Sequence, residues 1–362
     1  MKKSTRNTAI EALRFFFMVQ ICLLHYNSCG NFMKAGYLGV EFYFLLSGIF
    51  IYKNATKSNS TCGIVEYTYN KISKFYTQYI LSLLVIYLVV MPKVIMSIHE
   101  NGLVHEILRF ISQCLILQET GIYPKTYNSP TWFFSVLIWG GALVYGLTKY
   151  WPKVSIRVIF PLIAIMFLSY SFNYGKISNL EQWGMNVFIP MTLARGICEI
   201  AIGTVIGYLI FNYLDIIKRY RSYLNVATLI STILYLFIVF DRAQDAQYVF
   251  ILFPIIITSA FVEGSWLNSL FRNDIWNKLG SLSFSMFLIH ISLVWSLTKP
   301  ILYDNFPHSL LFLIYIITLI PFAMLLSRTA TYVNKHLPKL ISKSDDPLSA
   351  DQNRGGGVIY YR

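Results

Sequence analysis

Three ionisable residues fall at helical spacing inside the first apolar stretch of the chain: Glu11, Arg14 and His25. A histidine titrates near neutrality and can take a proton from a hydroxyl. An arginine carries a permanent charge that suits a carboxylate or a phosphate. Arg14 and His25 are eleven residues apart. At about 100° per residue that separation returns to nearly the same helical face, roughly 16 Å further along the axis. Glu11 precedes Arg14 at i,i+3, within reach of an ion pair. A charge near the middle of a membrane span costs at least about 2.5 kcal/mol, so a retained one normally faces a protein interior or an aqueous cavity. Each residue also has a simpler assignment. Thr8 and Glu11 form the T-x-x-E pattern of a capping box, Arg14 is long enough to snorkel to headgroups, and His25 suits an interfacial site bonded to a carbonyl. Their coincidence on one helix favours a functional face.

The elements that must hold this face are membrane helices. Of 362 residues, 56 % are hydrophobic and only 13 % charged, against about 25 % charged in a soluble domain. Mean hydropathy is +0.54. The apolar runs do not alternate with polar residues, which argues for helices over barrel strands. The net charge of +13 would suggest nucleic acid in a soluble protein. Here the basic residues lie between apolar runs, so the charge describes topology and no nucleic-acid partner is expected. The five cysteines are odd in number and lack a CxxC, so neither a disulfide framework nor a metal site is implied. The basic Met-Lys-Lys start resembles a signal sequence. The run behind it is too long, carries Arg14 and lacks a small-residue cleavage site, so a retained helix is expected.

Ten spans are predicted, over residues 8–27, 37–53, 76–98, 130–148, 156–172, 186–212, 223–240, 246–263, 279–298 and 308–333. The stretch Leu103–Leu117 is apolar on one side but contains Glu106, Arg109 and Gln113. It is expected to lie in the membrane interface. With ten spans and both termini cytoplasmic, most lysines and arginines fall on the cytoplasmic side; an eleventh span would destroy that bias. The outward loop over 99–129 is the longest and could cover a site. Residues 1–341 form the membrane domain, and the polar tail over 342–362 is expected to be disordered.

The run Gly36-Tyr-Leu-Gly-Val-Glu-Phe-Tyr-Phe-Leu-Leu-Ser-Gly-Ile-Phe-Ile51 resembles the second-helix signature of the acyltransferase-3 family, bacterial membrane enzymes that acylate surface polysaccharides and other extracytoplasmic acceptors. Gly39, Val40, Glu41, Phe44, Ser47 and Gly48 carry the match. The first span, with its arginine and later histidine, resembles the family's first helix. Weaker matches are Trp132 with Ser135, Arg195 with Gly203 and Gly207, and Ser281-Leu-Ser-Phe-Ser-Met-Phe-Leu-Ile-His290. The resemblance runs in order from about residue 8 to 330, and ten helices is the family's number. Two departures stand out. The family often has R-x-x-R in the cytoplasmic loop before the third helix, where this chain has Lys71-Ile-Ser-Lys74, and a frequent aspartate is here Glu11. Lysine keeps the charge but loses the bidentate fork.

The resemblance implies an all-α, multi-pass O-acyltransferase of the bacterial inner membrane that uses cytoplasmic acyl-CoA, with acetyl-CoA the expected donor. A hydroxyl of an extracytoplasmic or lipid-linked glycan would accept the group. His25 is then the expected base, with Arg14 and Glu11 beside it on the polar face. Lys71, Lys74 and Arg195 are expected at the donor, and Glu41, Ser47, Trp132 and His290 at the acceptor or in support. Several have structural alternatives. Arg195 and Glu199 can neutralise each other at i,i+4, Ser47 can permit close packing, Trp132 can be an interfacial aromatic, Glu41 can complement a helix N-terminus and His290 can be a structural core histidine. A different class, a flippase or transporter for a glycan or lipid precursor, also places polar residues in the membrane. It would call for interrupted helices in a repeat, which the sequence lacks. A purely structural membrane protein leaves Arg14 and His25 without a purpose.

Overall fold

The structure, a computed structural model, describes residues 6–26, 33, 35–57, 61–122, 126–174, 190–241, 243–296 and 308–344. It is all-α: α1 (Thr8–His25), α2 (Gly39–Ala55), α3 (Ile64–Val89), α4 (Met91–Asn101), α5 (Leu103–Cys114), α6 (Trp132–Tyr150), α7 (Pro152–Val154), α8 (Phe160–Tyr174), α9 (Met191–Arg219), α10 (Arg221–Phe240), α11 (Val249–Phe261), α12 (Trp266–Leu270), α13 (Ile275–Leu293) and α14 (His308–Ser344). Among the described residues, eight helices are long and apolar enough to cross a bilayer. α2 and α11 are shorter, with 17 and 13 residues. The outer helices expose apolar side chains, such as Leu162, Ile165 and Met166 on α8 and Ile230, Ile233 and Phe237 on α10. In a multi-pass membrane protein these faces meet lipid.

α2 is the centre of the bundle. Phe42, Phe44, Leu45 and Ile49 are all 0 % exposed. Its partner α9 runs parallel to it and so close that a Cβ on Gly48 would come within 2.6 Å of the Thr204 amide nitrogen. On the α9 side, a Cβ on Gly203 would come within 2.7 Å of Leu45 Cα. These small residues let two backbones touch where lipid offers no hydrophobic drive for association. α6 joins the same layer at Gly196 of α9, where an added Cβ would run into the Val136 side chain of α6 and meet Phe44 Cζ of α2 at 3.2 Å. α1 and α13 form a second parallel pair, anchored by Gly280 beside Glu11 at one end and by His25 beside His290 at the other.

Three expectations are corrected. α1 is capped by Asn7, whose side chain accepts from the Ala9 and Ile10 amides at 3.0 and 3.2 Å. Thr8 therefore forms no capping box, and Glu11 is left to pair with Arg14. The third span begins at Ile64, twelve residues before the predicted start, because Lys71 finds bonding partners inside the bundle. It ends at Val90, whose φ of −102° and ψ of 20° break the helix. Pro92 then opens α4, in the first turn where its missing N–H is harmless. Finally, α14 stays helical to Ser344, so helix overlaps the first residues of the expected tail; residues 345–362 lie outside the described residues.

α5 is a helix, as its pattern predicts, and it is apolar outward. Leu103, Val104, Ile107, Leu108 and Ile111 are exposed, while Glu106, Arg109, Ser112 and Gln113 are buried. Beneath it, Arg109 pairs with Glu106 at 2.7 Å and donates to Tyr127 Oη at 2.7 Å. This reversal of the water-soluble pattern fits a helix set against lipid.

Candidate active site

His25 is the last residue of α1, and its ring borders a cavity of about 190 Å³ lined by Ile21, Leu24, Tyr37, Val40, Ser129, Pro130, Trp132 and Arg195 as well. Three helices therefore deliver their polar side chains to one place. Trp132 opens α6, and Arg195 lies in the first turns of α9. The Arg195 guanidinium stands 5.8 Å from the Trp132 ring centroid, within cation–π range. It is held from behind by two carboxylates: Nη2 pairs with Glu41 on α2, and Nε donates to Glu199 Oε1 at 2.9 Å. Arg195 is 2 % exposed and both glutamates are 0 % exposed. Two bonds to opposed carboxylates fix the direction of the guanidinium, and removing it would leave both buried carboxylates uncompensated.

His290 on α13 packs behind His25, with ring centroids 5.2 Å apart. Tyr26, next to His25, stacks on Tyr315 of α14, and the Tyr315 hydroxyl donates to the His290 carbonyl at 3.4 Å. Asn128, just before α6, donates to the Leu288 carbonyl at 3.0 Å. These contacts hold the wall that carries both histidines. A neutral imidazole beside a cavity with a fixed cation can accept a hydroxyl proton while the cation steadies developing negative charge.

The acyltransferase-3 profile, described as an acyltransferase domain, matches residues 7–328. The chain belongs to the acyltransferase-3 family. Comparison with curated proteins and with solved structures finds no match. As a membrane acyltransferase, the protein must bring an acyl donor and an acceptor together within this bundle, and the remaining polar residues mark a second end.

At that second end of the acyltransferase, Arg14 Nη1 pairs with Glu11 Oε2 at 2.8 Å. The Tyr43 hydroxyl on α2 donates to the Arg14 carbonyl. Exposed Lys74 on α3 lies in the field of Arg6, Arg14 and Glu11, and its Nζ sits 5.1 Å from the Phe75 ring centroid. One turn before it, Lys71 turns into the bundle. Its Nζ donates to Ser47 Oγ at 3.2 Å, Tyr67 Oη at 3.3 Å and the Leu137 carbonyl at 3.2 Å. Lys71 and Lys74 are thus residues of a membrane helix and not of a loop. Lys71 is a tripod joining α3, α2 and α6, and Lys74 alone of the two remains open to a ligand.

The structure therefore gathers His25, Trp132, Arg195, Glu41 and His290 at one end, and Glu11, Arg14 and Lys74 at the other, with Lys71 and Ser47 bonded to each other. Arg195, expected beside Lys71 and Lys74, stands apart from them at the His25 cavity. Glu41 braces Arg195. Sequence reasoning did not identify the supports: Tyr37 in the cavity wall, Tyr43 on the Arg14 carbonyl, and Gly280 under Glu11. For Gly280 a signal existed, since a glycine interrupting an apolar helix often marks close approach. The described residues contain no group of three His, Cys, Asp or Glu placed to hold a metal ion.

Proposed function

We propose that this acyltransferase moves an acetyl group from cytoplasmic acetyl-CoA to a hydroxyl of an extracytoplasmic or lipid-linked glycan, from the bacterial inner membrane. The observation that carries the reading is the cavity whose lining His25 shares with Trp132 and Arg195. His25 accepts the proton of the acceptor hydroxyl, and the oxygen attacks the thioester carbonyl. The carbon–sulfur bond breaks, and the thiolate takes the proton, leaving free CoA thiol. Arg195 stands where it can steady the oxyanion, a role its position supports better than phosphate binding. Trp132 offers an aromatic face to a sugar ring. Lys74, with Arg6 and Arg14 near it, supplies positive charge for the donor's phosphates at the opposite end. Acetyl-CoA enters as co-substrate.

The test uses the purified protein in proteoliposomes, followed for acetyl-CoA turnover, together with the acetyl content of surface glycans from strains with and without the gene. Turnover and glycan acetylation that are both lost in His25→Ala are the expected result. Unchanged glycan acetylation on deletion, with no turnover by the purified protein, would sink the proposal and favour a transporter.

A further inference from the structure

His290 is 0 % exposed, and its Nδ1 lies 2.6 Å from the Phe287 carbonyl oxygen. A carbonyl oxygen only accepts, so Nδ1 carries the hydrogen. An imidazolium here would bury a second N–H and a charge with no acceptor, at high cost. The ring is therefore neutral, with a lone pair on Nε2. That Nε2 has no hydrogen-bond partner among the described residues. A buried acceptor without a donor is rare and calls for a role. The neighbouring polar ring is His25, 5.2 Å away between centroids and tilted by 48°.

We propose that His290 is the positioning residue of the His25 base. A small rotation of the His25 ring, or one bridging water, lets a His25 N–H donate to His290 Nε2. The other His25 nitrogen then presents its lone pair to the cavity shared with Trp132 and Arg195. During transfer His25 takes the acceptor's proton, and His290 Nε2 accepts a stronger hydrogen bond from the imidazolium. The proton passes from His25 to the departing thiolate, so His290 begins and ends neutral. This is the part that a buried carboxylate plays in Ser-His-Asp enzymes, where the third group fixes tautomer and orientation without taking the proton. Here a neutral acceptor does it, and its own direction is set by the Phe287 carbonyl. Placement on α13, with Tyr315 bonded to the His290 carbonyl and stacked on Tyr26, keeps the two rings in register.

The inference rests on the proposed role of His25, and its test separates the two. Histidine-labelled protein in nanodiscs is examined by ¹⁵N NMR without substrate, with the His25 signals assigned by substitution. Wild type should show one neutral tautomer at His25. His290→Phe keeps the bulk against Phe287 but removes the lone pair, and should give a mixture of tautomers. His290→Gln, whose carboxamide oxygen can accept, should restore one tautomer. In acetyl-CoA turnover, His290→Phe should lower kcat by about tenfold or more with little change in KM, and His290→Gln should recover part of it. The same His25 tautomer in wild type and His290→Phe would overturn the proposal, as would equal impairment of the Phe and Gln variants. Absence of turnover in wild type would instead remove the reading of His25 as base, while the tautomer signals would still decide the His290 contact.

Discussion

Gly280 of α13 lies against Glu11 of α1 so closely that a Cβ at position 280 would come within 2.6 Å of the Glu11 carbonyl oxygen and press on its carboxylate. The missing side chain makes room for the acid that holds Arg14. Gly280→Ala should therefore destabilise the bundle by about 1–3 kcal/mol, as overpacking does. Thermal unfolding in detergent measures it. The loss should shrink in a Glu11→Ala background, and purely additive losses would show that Gly280 does not act through Glu11.

The triad around Arg195 gives an ordering. Arg195→Met strands two fully buried carboxylates and should cost about 3–5 kcal/mol. Arg195→Lys keeps the charge but not the fork, and should fall between. Glu199→Gln leaves Glu41 opposite the guanidinium and should be the mildest. Folded yield and unfolding midpoints read this order, and an Arg195→Met protein as stable as Glu199→Gln would contradict it.

Packing of α2 on α9 predicts that Gly48→Ala and Gly203→Ala each cost about 1–3 kcal/mol, because the added methyl meets backbone that cannot move aside. Gly63 is the control. A Cβ there meets only the Tyr150 hydroxyl, at 3.6 Å, so Gly63→Ala should change stability by less than about 0.5 kcal/mol. Thermal half-lives in detergent compare the three.

The two lysines should separate by phenotype. Lys74 is exposed, so Lys74→Ala should raise KM for acetyl-CoA a few-fold in low salt, with the difference fading as salt screens the field. Lys71 is bonded to three groups in the interior. Lys71→Met should lower stability and show a coupling of about 0.5–1.5 kcal/mol with Ser47→Ala in a double-mutant cycle. A salt-dependent KM effect at Lys71 with no such coupling would reverse these roles.

Hydropathy and charge bias made the membrane helices legible because lipid demands long apolar runs with internally bonded backbone. The face shared by Glu11, Arg14 and His25 was legible because it depends on one helix and its period. Contacts between helices were not. Nothing local tells that Glu41 faces Arg195 across α2 and α9, since an i,i+4 partner, Glu199, already explains the arginine. The early start of α3 was hidden for a related reason. Lys71 and Asn70 read as polar residues outside a span, and only the placement of Ser47 and the Leu137 carbonyl makes burial of Lys71 tolerable. Orphaned Nε2 of His290 is likewise a property of the assembled bundle.

The pairing of α1 with α13 has a consequence for biosynthesis. α1 leaves the ribosome long before α13. Glu11 and Arg14 must therefore enter the bilayer long before Gly280 and His290 exist to receive them. Their i,i+3 ion pair needs no other segment. It neutralises the nascent helix on its own and lets it wait in the membrane, until the arrival of α13 converts a lone segment into half of the finished wall.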